Sequence, residues 1–262
     1  MKSAIVIPAR HASSRLPGKP LLRESGKYLV QHVYERALQA RRSSDVIVAT
    51  DDPRIVAAVN SFGGKVMMTR RDHPSGTDRI AEVARQLDVD VIINLQGDEP
   101  LIDPRSLDQL VEMMQTHPEA EVATLAAPIA SANEWRNPNC VKVVCASDGR
   151  ALYFSRSPIP CQRDAEPDFA ARPPRFLQHL GLYAYRRSFL LQLSMLQPEP
   201  LEQIEKLEQL RVLSIGRQIF VGVVDQASIG VDTYEDYRQF VRIYREQQRQ
   251  ERARRPGLVH AA

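Results

Sequence analysis

Apolar and polar positions along the first hundred residues form alternating blocks that predict strands and helices in turn. Short apolar runs predict strands at residues 4–7, 45–50, 65–69 and 91–95. Apolar residues at helical spacing predict helices between these strands, at about 29–41, from Pro53 to the Gly63-Gly64 pair, and around 80–87. This alternation is typical of a doubly wound, mostly parallel α/β sheet with helices on both faces.

The pattern changes after a helix predicted at about 105–116. The later predicted strands are 122–128, 141–146, 152–154, 179–185 and 219–223, and the later helices are 188–196, 201–213 and 233 to about 252. Residues 156–176 are rich in Pro, Arg and Asp without periodicity, and a loop of this length is usually functional or mobile. We therefore expect one domain over residues 1–245, with a smaller antiparallel subdomain inserted at about 122–215, followed by a basic tail over 246–262.

Composition excludes several classes of function. The chain has 262 residues, of which 43% are hydrophobic and 26% charged, as in ordinary soluble proteins. A net charge of +3 is too small to indicate binding of nucleic acid. Its three cysteines are an odd, widely spaced set, which suggests neither a disulfide framework nor a zinc site. No apolar run approaches the roughly 18 residues of a membrane span, and no secretory leader is recognisable, so we expect a soluble cytoplasmic protein.

Positive charge is concentrated in the loop that follows the first predicted strand, residues 8–21. Arg10, Arg15 and Lys19 lie within this loop, and no acidic residue lies among them. Its prolines and its glycine exclude a helix. In open α/β sheets, ligands bind at the carboxyl ends of the strands. We therefore expect the loop to bind a triphosphate, with a solvated basic loop as the alternative.

A second polar cluster, residues 73–79, precedes the helix around 80–87. Gly76 would allow the backbone to approach a ligand closely. Ser75 or Thr77 could cap the helix, which is the commoner function of such residues, and recognition of a nucleotide base is compatible with capping.

Acidic residues follow two of the predicted strands. Asp98 and Glu99 come directly after the strand at 91–95, and Asp232 follows the strand at 219–223. Mg²⁺ takes few protein carboxylates and completes its shell with water and phosphate oxygens. We expect Asp98 rather than Glu99 to be a ligand, because it directly follows the glycine that opens the turn. Asp232 could supply the second carboxylate, and turn formation is the alternative for both.

The middle of the chain contains residues suited to an acidic substrate. Arg156 and Arg163 bracket the first part of the irregular loop, and arginine pairs bidentately with carboxylates. Loop arginines are more often simply solvated. A series of glutamates at spacing three, which includes Glu208, lies along one face of the helix predicted at 201–213, and such a face is usually solvated as well.

Seven motifs in order along the chain resemble those of the 3-deoxy-manno-octulosonate cytidylyltransferases, the CMP-KDO synthetases of lipopolysaccharide assembly. The resemblance runs from residue 4 to about 237, and its later motifs are more specific than the opening loop, which relatives share. The motifs lie at residues 8–21, 73–79, 96–100, 153–156, 179–185, 207–211 and 230–233.

The resemblance implies a nucleotide-diphosphosugar transferase-like fold, a cytoplasmic homodimer, and transfer of CMP from CTP to the anomeric hydroxyl of 3-deoxy-D-manno-octulosonate (KDO). It implies Mg²⁺ on Asp98 and Asp232, with Arg15 and Lys19 as further catalytic residues. The implied nucleotide contacts are Ala9, Arg10, Arg15, Lys19, His73, Ser75, Gly76, Arg79 and Gln96. The implied sugar-acid contacts are Gln96, Arg156, Arg163, His179, Tyr183, Glu208 and Gln209. Neither nucleic acid nor a membrane is an expected partner.

Two positions depart from the family pattern, and three other functions remain open. Cys161-Gln162 stands where Trp-Asp is common, and Tyr234 stands where Pro is usual. The first departure lies in the loop expected to bind the sugar acid, so an amino-KDO or a sialic acid is an alternative acceptor. A nucleotide-binding module without turnover is a second alternative. A membrane-associated glycosyltransferase is the third, although it would be expected to use a DxD-like motif rather than Gln96-Gly97-Asp98.

Overall fold

The computed structural model describes residues 1–12 and 16–253, and this part of the chain forms nine strands joined in one sheet. The strands are β1 (Ser3–Ala9), β2 (Asp45–Thr50), β3 (Val66–Met68), β4 (Val91–Asn94), β5 (Val122–Pro128), β6 (Lys142–Cys145), β7 (Ala151–Ser155), β8 (Leu177–Arg186) and β9 (Ile219–Val223). Their order across the sheet is β3-β2-β1-β4-β8-β5-β9, and β6 and β7 lie off this path. The predicted phosphate contact of Arg15 and the end of the predicted basic tail lie outside the described residues.

The sheet is mostly parallel, as the sequence pattern predicted. Strands β1 to β4 run parallel to one another, and β9 runs parallel to β5. Strand β8 runs antiparallel to its neighbours β4 and β5. The antiparallel hairpin β6–β7 joins the beginning of β8. Since β5 and β8 belong to the main sheet, the limits of an inserted subdomain at about 122–215 stay a prediction.

Nine α-helices lie within the described ranges, and several begin at a residue suited to capping. Asp52 and Asp103 accept the backbone N–H groups of Arg54 and Arg105, and a proline follows each of these caps. The helices are α1 (Leu29–Ala37), α2 (Pro53–Ser61), α3 (Gly76–Ala84), α4 (Pro104–Thr116), α5 (Ala132–Arg136), α6 (Arg187–Leu193), α7 (Pro200–Glu205), α8 (Gln209–Ser214) and α9 (Tyr234–Ala253).

Strand β1 is buried on both of its faces. Ile5 and Ile7 belong to a cluster that includes Val30 of α1 and Leu110 of α4. Val6 points to the other side, because successive side chains of a strand alternate, and it belongs to a cluster that includes residues of α3. A strand held in this way fixes the position of the polar loop that follows it.

The single helix predicted at 201–213 is wrong, because the structure has two short helices there. Lys206, between α7 and α8, has a left-handed backbone with φ of 54°. Arg156 donates hydrogen bonds to the carbonyl oxygens of Glu205 at 2.7 Å and of Lys206 at 3.3 Å. These bonds satisfy carbonyl groups that a helix end leaves without a helical partner. The sequence pattern could not reveal the break, because the compensating donor comes from a distant loop.

Two other local features differ from the sequence prediction. The loop at 8–21 was expected to contain no helix, but Lys19–Leu21 forms a 3₁₀ turn after Gly18, whose φ is 71°. Pro20 fits within this turn because the start of a helix requires no N–H donor there. Helix α5 was not predicted, since five residues are too few for a periodic pattern. In the described part of the chain, no helix is both long and apolar enough to cross a membrane.

Candidate active site

The loop after β4 lies against the carboxyl end of β1, because these two parallel strands are neighbours. A methyl group added at Gly97 would lie 2.9 Å from the carbonyl oxygen of Pro8. Only glycine permits this approach of two backbones. The loop that contains Lys19 and the loop that contains Asp98 therefore meet at the carboxyl edge of the sheet, where open α/β sheets bind ligands.

Lys19 connects three parts of the chain. Its ammonium donates to Oδ2 of Asp98 at 2.8 Å and to the carbonyl oxygen of Val231 at 2.8 Å, and it lies 3.5 Å from Oδ1 of Asp232. The backbone N–H of Val231 also donates to the carbonyl oxygen of Asp98 at 2.8 Å. The Lys19 side chain is only 13% exposed. The three charged groups that the sequence associated with phosphate and metal therefore lie together.

The donor set at this point fits Mg²⁺ in the presence of a triphosphate. Asp98 and Asp232 offer two carboxylates, and no group of three His, Cys, Asp or Glu side chains suited to a metal occurs within the described residues. Mg²⁺ is usually bound by one or two carboxylates together with substrate phosphates and water. A structural zinc site would require four protein ligands. Asp98 and Asp232 could thus hold Mg²⁺, and their function as ligands stays a prediction.

Glu99 is a part-buried acid of this site that the sequence reasoning set aside. Its carboxylate accepts a hydrogen bond from the hydroxyl of Ser228, in the loop before Asp232. Burial raises the pKa of Glu99 to about 7, and the negative charges of Asp98 and Asp232 act in the same direction. The sequence could have indicated Glu99 through its position in the same turn as Asp98. Its contact with Ser228 arises only in the folded chain.

A cavity of about 390 Å³ adjoins the acidic cluster, and Glu99 and Asp232 belong to its lining. His179, Tyr183 and Gln209, three of the predicted sugar-acid contacts, line it as well. The sequence suggested these residues only through the family resemblance, since they lie far apart along the chain.

The polar groups of this cavity differ in how they are satisfied. Nε2 of His179 lies 3.0 Å from the hydroxyl of Thr124, and burial lowers the pKa of His179 to about 3, so its ring is neutral near pH 7. The amide nitrogen of Gln209 is buried and has no hydrogen-bond partner within the described residues. A ligand in the cavity would find an unused donor there.

The four other predicted acceptor residues, which are Arg156, Arg163, Glu208 and Gln96, lie outside the lining of this cavity. Arg156 donates to the carbonyl oxygens of Glu205, Pro138 and Lys206, so its guanidinium is engaged with the backbone. Arg163 is exposed and lies 3.5 Å from Asp164. Glu208 accepts a hydrogen bond from Thr77 at 2.6 Å. The acceptor contacts of all four residues stay predictions.

The predicted nucleotide contacts near β1 and β4 lie at the same edge of the sheet. Ala9 is buried at the end of β1, and Arg10 follows it with an exposed side chain. Gly76 lies beside Pro8, and a methyl group added at Gly76 would lie 3.6 Å from the ring of Pro8. The amide of Gln96 donates to Oδ1 of Asn94 at 3.1 Å.

The remaining predicted nucleotide contacts already have partners in the protein. Ser75 caps α3 by accepting the N–H of Asp78 at 3.2 Å. Arg79 is buried and donates to Oδ2 of Asp51 at 3.1 Å, and His73 is bonded to Glu82. These bonds hold the loop before α3, and direct contacts of Ser75, Arg79 and His73 with a nucleotide stay predictions.

Comparison with known proteins identifies the family. The sequence model of the cytidylyltransferases matches residues 4–219. A 3-deoxy-manno-octulosonate cytidylyltransferase of Rhodopirellula baltica is 51% identical over 92% of this chain and 97% of its own length, and one of Escherichia coli is 52% identical over 88% and 92%. The solved structure of a CMP:2-keto-3-deoxy-manno-octonic acid synthetase complexed with CTP has a TM-score of 0.88 and 50% identity, covering 94% of this chain and 100% of that one. The chain therefore belongs to the 3-deoxy-manno-octulosonate cytidylyltransferases, a family of nucleotidyltransferase enzymes.

Proposed function

We propose that this protein transfers CMP from CTP to the anomeric 2-hydroxyl of KDO, giving CMP-KDO and pyrophosphate. The observation that carries the proposal is the contact of Lys19 with both Asp98 and Asp232 beside a cavity lined by polar groups. The nucleotide is supported by the relative that was solved with CTP, and the acceptor by the names of relatives about 50% identical to this chain.

Lys19 supplies the positive charge of the reaction. Its ammonium is fixed by Asp98 and by the carbonyl oxygen of Val231, so little reorganisation is required when a triphosphate binds. Charge develops on the pyrophosphate oxygens as they leave, and a fixed cation stabilises that charge. Arg10, exposed directly after β1, is suited to bind the outer phosphates.

Mg²⁺ is the proposed cofactor, with Asp98 and Asp232 as its protein ligands. When bound, it would neutralise phosphate charge and make a nearby hydroxyl more acidic. The neighbouring Glu99 adds negative charge above its raised pKa of about 7, which also favours a divalent cation.

Direct displacement at phosphorus is the mechanism that fits these residues. The sugar hydroxyl oxygen forms a bond to the α-phosphorus, the bond from that phosphorus to the pyrophosphate oxygen breaks, and the hydroxyl proton is released. This direct transfer requires no protein nucleophile, and in the described lining of the cavity the hydroxyl of Ser228 donates to Glu99 and Nε2 of His179 lies against the hydroxyl of Thr124. Catalysis then depends on positioning and charge stabilisation.

Homodimer formation, a cytoplasmic location and participation in lipopolysaccharide biosynthesis belong to the same proposal. The segment from the end of α6 through α7 exposes large apolar side chains, with Met195 70% and Ile204 77% exposed. Several large exposed apolar side chains within one short segment are a feature of subunit interfaces. A second copy of the chain is the proposed partner of this segment.

An acceptor assay tests the proposal directly. The purified protein would be incubated with CTP and Mg²⁺ and, in parallel, with KDO, an amino-KDO, a sialic acid or no acceptor. We expect pyrophosphate release that depends on KDO. Release with only another sugar acid would replace the acceptor, and CTP binding without release under all conditions would support a binding module instead.

A further inference from the structure

Uncharged amides form part of the lining of the 390 Å³ cavity beside Asp232. Apart from Glu99 and Asp232, the described residues that line it contribute no charged side chain near pH 7. The amides belong to Asn139, Gln178 and Gln209. An acceptor bound with its reacting hydroxyl near Asp232 must place its other groups against this uncharged polar surface.

Gln178 is a half-buried residue of the cavity lining. Within the described part of the chain, its amide makes no hydrogen bond to the protein, whereas the amides of Gln31, Gln39 and Gln203 each donate one to a protein oxygen. The amide of Gln178 is therefore available to a ligand of the cavity. An amide has a donor and an acceptor, and a sugar hydroxyl can satisfy either of them.

The backbone at Gln178 is held rigidly. Gln178 pairs with Ala127 of β5 on one side of β8 and with Lys142 of β6 on the other. Lys142 is completely buried, and its ammonium donates to three backbone carbonyl oxygens, including that of Arg156 at 2.6 Å. A side chain on a rigid strand loses little conformational entropy when it binds a ligand. Its hydrogen bonds to the ligand therefore contribute more to the binding affinity.

We propose that Gln178 is a specificity-determining residue whose amide binds a hydroxyl of the sugar-acid acceptor in this cavity. The inference rests on the proposed function, because it takes the cavity to be the acceptor site. It adds a contact on β8 that is separate from the metal and phosphate groups. A neutral amide supplies no counter-charge for the burial of an ammonium group, so this position favours an acceptor with a hydroxyl there.

The test compares two variants of Gln178 with the wild type in the pyrophosphate-release assay. For Gln178→Leu we expect the KM for KDO to rise about tenfold, the effect of one neutral hydrogen bond, with the KM for CTP unchanged. For Gln178→Glu we expect the ratio of kcat/KM for an amino-KDO over KDO to rise about tenfold, because a carboxylate pairs with an ammonium group. Gln86→Leu, at an exposed position after α3, is the matched control and should change neither KM.

Deoxy analogues of KDO identify the hydroxyl. The analogue that lacks this hydroxyl should bind to the wild type about tenfold more weakly than KDO does. The wild type and Gln178→Leu should bind that analogue with equal affinity. An unchanged KM for KDO in Gln178→Leu, with the wild-type melting temperature, would overturn the inference while leaving the proposed function intact. A wild-type protein that releases no pyrophosphate with any sugar acid would contradict both proposals.

Discussion

The ammonium of Lys19 lies 2.8 Å from Oδ2 of Asp98, although the two residues are 79 positions apart in the sequence. The contact forms because β1 and β4 are adjacent parallel strands whose following loops share one edge of the sheet. It places a fixed positive charge against the carboxylate that is proposed to bind Mg²⁺. Phosphate binding and metal binding are therefore both expected to depend on this contact between Lys19 and Asp98.

Replacement of Asp98 by Asn should remove most activity without unfolding the protein. Asn keeps the size of the side chain but loses the negative charge that pairs with Lys19 and attracts a divalent cation. We expect pyrophosphate release to fall by about 100-fold or more at saturating CTP and Mg²⁺, as when one preorganised electrostatic group is removed. The control is Asp88→Asn, because Asp88 is 99% exposed and its ion pair with Lys2 lies at the surface. A rate near that of the wild type would exclude Asp98 as a ligand.

Replacement of Gly97 by Ala should destabilise the junction of the two loops. The added methyl group would lie 2.9 Å from the carbonyl oxygen of Pro8, and a backbone atom in a buried strand cannot move aside cheaply. We expect the free energy of unfolding to fall by about 1–3 kcal/mol, measured in urea. Gly181→Ala is the matched control, since no atom lies within 4 Å of its added methyl group. Equal stability of the two variants would show that the loops are not tightly apposed.

Replacement of Lys142 by Met should destabilise the segment that supports the acceptor cavity. The buried ammonium satisfies the carbonyl oxygens of Asn137, Cys140 and Arg156, and Met would leave these buried acceptors without a donor. We expect a loss of about 2–4 kcal/mol in the free energy of unfolding. Lys2→Met, at an exposed lysine, should leave stability almost unchanged. If Lys142→Met were equally harmless, the ammonium would not be a structural donor.

The apolar pattern was sufficient to predict the strands and helices of the first half and their arrangement in a mostly parallel sheet. Runs such as residues 91–95 are buried on both faces, which is the condition that makes a parallel strand recognisable from sequence. The position of Asp98 and Asp232 after predicted strands was visible in the sequence, and their function as metal ligands stays a prediction. Their contact with one lysine required only the adjacency of loops at the carboxyl edge.

Features that depend on partners distant in the sequence were not predictable. Arg156 was expected to bind a substrate, and nothing in its local sequence indicated that Glu205 and Lys206 would occupy its guanidinium. The acid Glu99 was set aside in favour of Asp98, which directly follows Gly97, and its contact with Ser228, 129 positions away, could not be read from the local sequence. Long side chains in irregular loops find their contacts through tertiary structure, and a periodic pattern contains no information about such contacts.

Stability of the metal-free protein should depend on pH through Glu99. Burial raises its pKa from 4.5 to about 7, so the folded protein binds a proton that the unfolded chain has already released between these values. The unfolded state then binds fewer protons, and the free energy of unfolding falls as the pH rises from about 4.5 to 7. Gln has no proton to release in this range. The free energy of unfolding of Glu99→Gln minus that of the wild type should therefore increase by about 1–3 kcal/mol as the pH rises from 4.5 to 7.

The measurement is urea unfolding of both proteins in EDTA at several pH values between 4.5 and 8. Subtraction of the two curves removes the contributions of all other titrating groups, provided that they are unaffected by the substitution. Glu166→Gln, at an exposed position in the loop after β7, should follow the wild-type curve throughout. A difference between wild type and Glu99→Gln that stays constant with pH would show that folding does not shift the pKa of Glu99. A change in the opposite direction would show that folding lowers this pKa, and either result contradicts the prediction.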